Sequence, residues 1–151
     1  LIDKYDLNIF FKRKYNYDLY LKNNFTNKIF EKLVDSNNFI LVERYTSPRS
    51  IINDSDLVVS MTFATPGFEA LYLKKKSFFV DTNSNYKNSL IDQNTENFVS
   101  HGIDDSLNLF KFYYEDNSET KSTIQKNSDS IFEGSLDNDP IDFIKNLVVN
   151  I

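Results

Sequence analysis

Three groups of residues in the sequence have side chains that could take part in chemistry. The longest is residues 60–71, SMTFATPGFEAL, which bring hydroxyls, a glycine and a carboxylate close together. The second is the basic triplet Lys12-Arg13-Lys14, and the third is His101, the single histidine of the chain. Hydroxyls, backbone N–H groups and cations bind phosphate, whereas a histidine can carry a proton near neutral pH. The sequence thus provides more candidates for binding a phosphate than for catalysis.

Residues 60–71 run from the end of a predicted buried strand into a predicted helix opened by Pro66. Ligands of an open parallel sheet bind at the carboxyl ends of its strands, and a helix start with unpaired N–H groups suits a phosphate or diphosphate. The candidate phosphate ligands here are three hydroxyls and a glycine: Ser60, Thr62, Thr65 and Gly67. Glu69, expected in the first turn, is a candidate acceptor for ribose or sugar hydroxyls.

A purely structural interpretation of the same segment stays open. In it, Thr65 is the N-cap of the helix, Gly67 permits close packing of helix on sheet, and Glu69 complements the helix dipole. No Walker or GxGxxG fingerprint is present to decide between the two interpretations.

The basic triplet directly follows the first predicted strand, on the edge where residues 60–67 are also expected to emerge. Cations facing a helix N-terminus would form a charge-assisted clamp, so Lys12 and Lys14 are candidate phosphate ligands. The alternative is a solvated turn paired with Asp18 or Asp3. Lys74, Lys75 and Lys76 are instead expected at a helix C-terminus, where lysine has a structural explanation.

His101 follows the fifth predicted strand and precedes Gly102. The chain has no cysteine and no second histidine for a Cys–His pair or a His/Cys metal site, so no metal ligand is predicted. A lone histidine beside a glycine turn is more often a cap or loop contact than a catalyst. No catalytic residue is therefore assigned.

Short apolar runs predict the elements that would position these residues. The five predicted strands are residues 7–11, 39–42, 57–60, 77–80 and 97–100. Helical spacing is present in six segments, residues 26–34, 48–52, 66–73, 104–114, 118–132 and 140–149. This alternation predicts an α/β fold, a Rossmann-like doubly wound parallel sheet of about five to six strands with helices on both faces and a helical C-terminal part. The helix over 104–114 is expected to pack through Leu107, Phe110, Lys111 and Tyr114.

Composition limits the classes of protein to consider. The 151 residues include 17 basic and 22 acidic side chains, a net charge of −5, and 40% hydrophobic residues. One domain over residues 1–151 is expected, without disulfides, without a membrane span and without affinity for nucleic acid.

Residues 56–81 resemble the nucleotide-sugar-binding, C-terminal domain of GT-B-fold glycosyltransferases of bacterial surface and capsular polysaccharide synthesis. The matching features are a buried strand ending in Ser60, the Ser/Thr-rich loop, the Gly-Phe-Glu-Ala-Leu helix and the lysine run before the next strand. The resemblance implies donor phosphate contacts at Ser60, Thr62, Thr65, Gly67, Lys12 and Lys14. It implies a ribose or sugar contact at Glu69.

The same resemblance implies a CMP-, UDP- or CDP-linked sugar as substrate, no cofactor, and a glycan or lipid-linked acceptor bound through a separate N-terminal domain. It also implies a cytoplasmic enzyme at the inner face of a membrane. Relatives that use CMP-sugars have Lys-x-His-Pro after the first strand, where this chain has Lys12-Arg13-Lys14, so the nucleotide stays open. A nucleotide-sugar 2-epimerase, a glycerophosphotransferase and a non-enzymatic interaction module are the alternatives.

The chain begins at Leu1 rather than at a methionine. We therefore expect it to be the C-terminal half of a longer two-domain enzyme. In the GT-B family the catalytic base belongs to the other half, so this half is expected to be inactive when isolated.

Overall fold

A computed structural model describes residues 2–12, 28, 31–61 and 63–132 of the chain. The chain divides into two compact units, Leu1–Ile51 and Ile52–Ile151. The first contains helix α1 (Ile2–Tyr5) and the parallel strands β1 (Ile9–Phe11) and β2 (Phe39–Leu41), with Ile9 opposite Phe39. Residues 31–34, before β2, are helical. The helix α2 (Pro48–Asn53) begins at its proline, the position where a missing N–H costs least.

The second unit is built on a three-stranded parallel sheet in the order β3-β4-β5. Its elements in chain order are β3 (Leu57–Met61), α3 (Thr65–Tyr72), β4 (Lys76–Asp81), α4 (Leu90–Asn94), β5 (Val99–His101), α5 (Ile103–Tyr114) and α6 (Ser118–Phe132). All strands run parallel, so their carboxyl ends lie at one edge, where Asp81 is paired with His101.

The central strand β4 is buried on both faces. Its successive side chains point to opposite sides of the sheet, and each side is covered by other residues. On one face, Phe79 packs with Phe68 and Leu71 of α3, Ile91 of α4, Val99 of β5, the preceding Phe98, and Ile131 of α6. Phe78 packs on the other face with Leu109 and Tyr113 of α5 and with Ile124 of α6. The phenol of Tyr113 donates to the Asn97 carbonyl, and burial raises its pKa.

The predicted α/β class is confirmed, with helices on both faces of a Rossmann-like arrangement. The five predicted strands are confirmed too, although they form one two-stranded and one three-stranded sheet. Two short helices, α1 and α4, were not predicted. The predicted helix over 140–149 lies outside the described residues.

The predicted packing face of α5 is right for Phe110, which packs against the core, and wrong for Tyr114, which is exposed and stacks on Phe110. The buried residues of α5 are Leu109 and Tyr113. The helix therefore meets the sheet mainly through Leu109 and Tyr113, each one residue before the predicted Phe110 and Tyr114. The ring of Tyr113 stacks on that of Phe78 in β4, with ring centroids 5.9 Å apart.

Candidate functional site

The connection from β3 to α3 opens on the carboxyl edge of the sheet. The buried Ser60 shares a sheet face with its register partner Phe79, and α3 begins at the exposed Thr65. Ala64 is the N-cap, so the interpretation of Thr65 as the cap is wrong. Pro66 has no N–H, and the N–H of Gly67 donates to the Ala64 carbonyl at 3.1 Å. Thr65, the exposed first residue of the helix, has an N–H and a hydroxyl that can donate.

Gly67 allows α3 to lie directly on the sheet. A Cβ atom added at this position would lie 2.6 Å from Cζ of Phe79, a buried ring at the centre of the aromatic cluster. No side chain fits there without moving the ring. The structural interpretation of Gly67 is therefore confirmed, and its role at a phosphate stays a prediction.

The remaining predicted ligands lie in different surroundings. Glu69 is half-buried in the second turn of α3, which corrects its expected place in the first turn. Lys12, in the first unit, donates through Nζ to the carbonyls of Arg44 at 2.8 Å and Glu43 at 3.4 Å. Thr62 and Lys14 lie outside the described residues, so their phosphate contacts stay predictions.

The structural interpretation of the lysine run is confirmed. Lys74 has a φ of 55° and closes α3, with its N–H bonded to Leu71 and the next N–H bonded to Ala70, the pattern of a Schellman cap. Nζ of Lys75 donates to the Asn53 and Ser55 carbonyls, and Lys76 pairs with Asp116 at 3.1 Å.

A group of titratable side chains, not predicted as a site, lies at the ends of β4 and β5. Nε2 of His101 lies 2.9 Å from Oδ1 of Asp92 on α4. Nδ1 of the same ring is buried and makes no hydrogen bond to a described residue, and it lies 3.4 Å from Oδ2 of Asp81, an ion-pair distance. The exposed side-chain fractions are 3% for Asp81, 16% for His101 and 22% for Asp92. The imidazole therefore lies between two carboxylates from different elements.

Each of these carboxylates also holds the backbone of the loop between β4 and α4. Oδ2 of Asp81 accepts the N–H of Tyr86 at 2.8 Å. Oδ2 of Asp92 accepts the N–H of Asn88 at 2.8 Å, while Ser89 caps α4 by accepting the N–H of Asp92. Among the residues described, no group of three or more histidine and acidic side chains could hold a metal ion.

The backbone around His101 is fixed by its neighbours. Its N–H donates to Oδ2 of Asp105 at 2.8 Å. Gly102 follows with φ 96° and ψ −179°, a conformation that is essentially restricted to glycine, and its carbonyl accepts from the Ser106 hydroxyl. Gly102 thus turns the chain from β5 into α5 and leaves the His101 ring facing Asp81 and Asp92.

Phe63, in the β3–α3 connection, contacts the loop that Asp81 and Asp92 hold. It has a φ of 54°, which is rare for an aromatic residue, and its ring contacts Tyr86 at 4.8 Å and Phe79 at 5.5 Å between centroids. Backbone strain of this kind tends to occur at ligand sites.

The sequence contained a signal for the Asp81–His101 pair. Each residue directly follows a predicted strand, and neighbouring parallel strands end at the same edge. Asp92 carried no such signal, because α4 is only five residues long and was not predicted.

Comparison with protein families assigns the chain to one family. A family model described as "Polysaccharide biosynthesis PFTS motif protein" matches residues 1–110. The chain belongs to this family. Its role therefore lies in polysaccharide biosynthesis. No curated protein and no solved structure matches the chain.

The part of the chain that matches the polysaccharide biosynthesis PFTS family includes the whole carboxyl edge. Residues 1–110 contain the β3–α3 connection as well as Asp81, Asp92 and His101, whereas α6 lies beyond them. Of the helices in the described ranges, none has the length and apolar character needed to cross a membrane.

The ionisation of Asp81 leads to a testable pH dependence. Burial acts to raise the pKa of Asp81, but hydrogen bonds from the Tyr86 and Asn85 N–H groups and the neighbouring His101 outweigh it, so this pKa lies below its ordinary value of 3.8. The stabilisation by this carboxylate is therefore present above pH ~4 and is lost as the pH falls through the lowered pKa.

We expect Asp81→Asn to lower the free energy of unfolding at pH 7, and to lower it progressively less below pH ~4. Urea unfolding from pH 7 downwards measures this difference, with Asp104→Asn, at an exposed carboxylate of α5, as the control. A difference between wild type and Asp81→Asn that stayed constant to pH ~2 would contradict the assignment.

Proposed function

We propose that the second unit of this polysaccharide biosynthesis protein binds a nucleotide-sugar at the carboxyl edge of its sheet, as the donor-binding part of a glycosyltransferase. The observation that carries the proposal is the β3–α3 connection, where an exposed Thr65 begins a helix shortly after a parallel strand that ends in the buried Ser60 and the exposed Met61. Such helix starts favour anions because their N–H groups and aligned peptide dipoles carry partial positive charge.

Charges along the edge indicate how the donor lies on it. Asp81, Asp92, Asp104 and Asp105 bring four carboxylates to the β4–β5 end, around His101. These carboxylates repel a phosphate, so we place the phosphates of the donor at Thr65. The neutral hydroxyls of the ribose or sugar then lie towards the β4–β5 end. Glu69, on the second turn of α3, is the proposed acceptor for one of these hydroxyls.

The chemical contribution of this unit is electrostatic. When the sugar leaves, negative charge builds up on the nucleotide phosphate, and the Thr65 N–H and hydroxyl stabilise it without needing to reorient. Removing one preorganised donor of this kind typically costs about 3 kcal/mol of transition-state stabilisation. The residues that carry this proposal, Thr65 and Glu69, both belong to the second unit. The phosphate contacts of Lys12 and Lys14 in the first unit stay predictions from the sequence.

Calorimetric titration of the chain with UDP, CMP and CDP tests the proposal. We expect one of the three to bind, and Thr65→Val and Glu69→Ala each to weaken that binding about tenfold through the loss of one hydrogen bond to a charged group. Glu119→Ala, at an exposed acidic residue of α6, is the matched control and should bind like the wild type. The proposal fails if none of the nucleotides binds, or if Thr65→Val and Glu69→Ala both bind like the control.

A further inference from the structure

The loop between β4 and α4, residues 82–89, is here called the strap. It is largely exposed, and Ser84 and Asn88 have φ angles of 53° and 67°. Residues other than glycine adopt such angles at a cost, so the loop needs outside contacts to keep its conformation. Asp81 supplies such contacts by accepting the N–H groups of Tyr86 and Asn85, and Asp92 does so by accepting the Asn88 N–H. The Gln93 side chain also donates to the Asn88 carbonyl.

His101 is the residue that the two anchoring carboxylates share. Asp81 and Asp92 come from β4 and α4, and the imidazole between them lies 3.4 Å from one and 2.9 Å from the other. The third carboxylate nearby, Asp105 of α5, accepts the backbone N–H of His101 and fixes the position of that residue. Nε2 is hydrogen-bonded to Asp92 and Nδ1 lies at ion-pair distance from Asp81, so one side chain contacts both anchoring carboxylates.

From this arrangement, we propose that His101 is a positioning residue that sets the conformation of the strap through Asp81 and Asp92. Nε2 is hydrogen-bonded to Asp92, and Nδ1 is buried beside Asp81, so the ring is placed to hold the two carboxylates. The effect extends to the β3–α3 connection, because the ring of Tyr86 in the strap packs against Phe63. His101 therefore acts on the proposed donor site indirectly, and this last step rests on the proposed function.

Amide hydrogen exchange measured by NMR on the full chain tests the positioning role. We expect His101→Gln to speed exchange at both Tyr86 and Asn88 about tenfold, because both anchoring carboxylates lose their partner. The Phe79 amide, bonded to Phe98 inside the sheet, should keep its rate. Asp81→Asn should release Tyr86 more than Asn88, and Asp92→Asn should do the reverse.

Ser89→Ala is the matched control, because it removes the α4 cap and leaves His101 and both carboxylates in place. It should speed exchange at Asp92 and leave Tyr86 unchanged. Unchanged exchange at Tyr86 and Asn88 in His101→Gln would overturn the proposal, and so would an equal loss of protection at Phe79. If His101→Gln does not fold, the opposite patterns of the two aspartate variants decide in its place, and identical patterns would overturn the proposal.

Nucleotide titration of the same variants separates this inference from the proposed function. With a donor site at the edge, His101→Gln should weaken nucleotide binding about fivefold while the chain stays folded. If neither wild type nor variant binds a nucleotide, the proposed function fails, and the exchange pattern alone still decides the role of His101.

Discussion

Gly67→Ala is expected to lower the free energy of unfolding by about 2 kcal/mol, although alanine is the better helix former by about 1 kcal/mol. The added methyl group would lie within 3.1 Å of three atoms of the Phe79 ring. That ring has no exposed surface and is in contact with Phe68 and Phe98, so it cannot move without displacing the core. Overpacking therefore outweighs the gain in helix propensity.

A double-mutant cycle with Phe79→Leu checks this cause. The smaller side chain leaves room for the methyl group, so Gly67→Ala should cost at least about 1 kcal/mol less in the Phe79→Leu background than alone. Chemical denaturation of the four proteins gives the coupling. A Gly67→Ala protein as stable as the wild type would show that the helix does not lie this close to the sheet.

Asn127→Ala is expected to lower the free energy of unfolding by about 2–3 kcal/mol. Asn127 lies on α6 with 1% of its surface exposed, and its amide makes both hydrogen bonds of a peptide group with the backbone of Glu96. The Glu96 N–H donates to Oδ1 at 2.8 Å, and Nδ2 donates to the Glu96 carbonyl at 2.7 Å. Truncation leaves both backbone groups without partners and opens a cavity.

Asn108→Ala, at an exposed asparagine of α5, is the matched control and should change stability by less than about 0.5 kcal/mol. Asn127→Asp keeps the acceptor for the Glu96 N–H but places a carboxylate against the Glu96 carbonyl, so it should destabilise as well. Urea unfolding of the three variants makes the comparison. Equal stability of Asn127→Ala and Asn108→Ala would contradict the role assigned to the buried amide.

The strands of this fold were predictable because a strand covered on both faces is apolar throughout. Phe78-Phe79-Val80 in β4 is such a strand. Leu57-Val58-Val59 in β3 is equally apolar and is a strand too, although Val59 is exposed. The inner face of α6 could not be predicted from hydropathy. Besides Ile124 and Ile131 it is made of polar residues, namely Thr120, Thr123, Asn127 and Ser128. Thr120 and Asn127 are hydrogen-bonded to the backbone of Phe112 and Glu96, partners that only the tertiary structure provides.

Only the part of the candidate site that is contiguous in sequence was predictable. The β3–α3 connection is one continuous stretch, so its hydroxyls and glycine were visible as a motif. Which N–H groups stay unpaired depends on the first turn of α3, where Gly67 bonds to Ala64 and Pro66 has no N–H. The Asp81–His101–Asp92 group depends on the register of β4 with β5 and on the short helix α4.

The central claim, that the carboxyl edge of the second unit binds a nucleotide-sugar donor, is tested most directly by mapping amide chemical shifts with saturating UDP, CMP or CDP. We expect the largest shifts at Thr65 and Glu69 and in the strap at Tyr86, with α6 unaffected. Shifts confined to residues away from the edge, or no shifts with any of the three nucleotides, would contradict it.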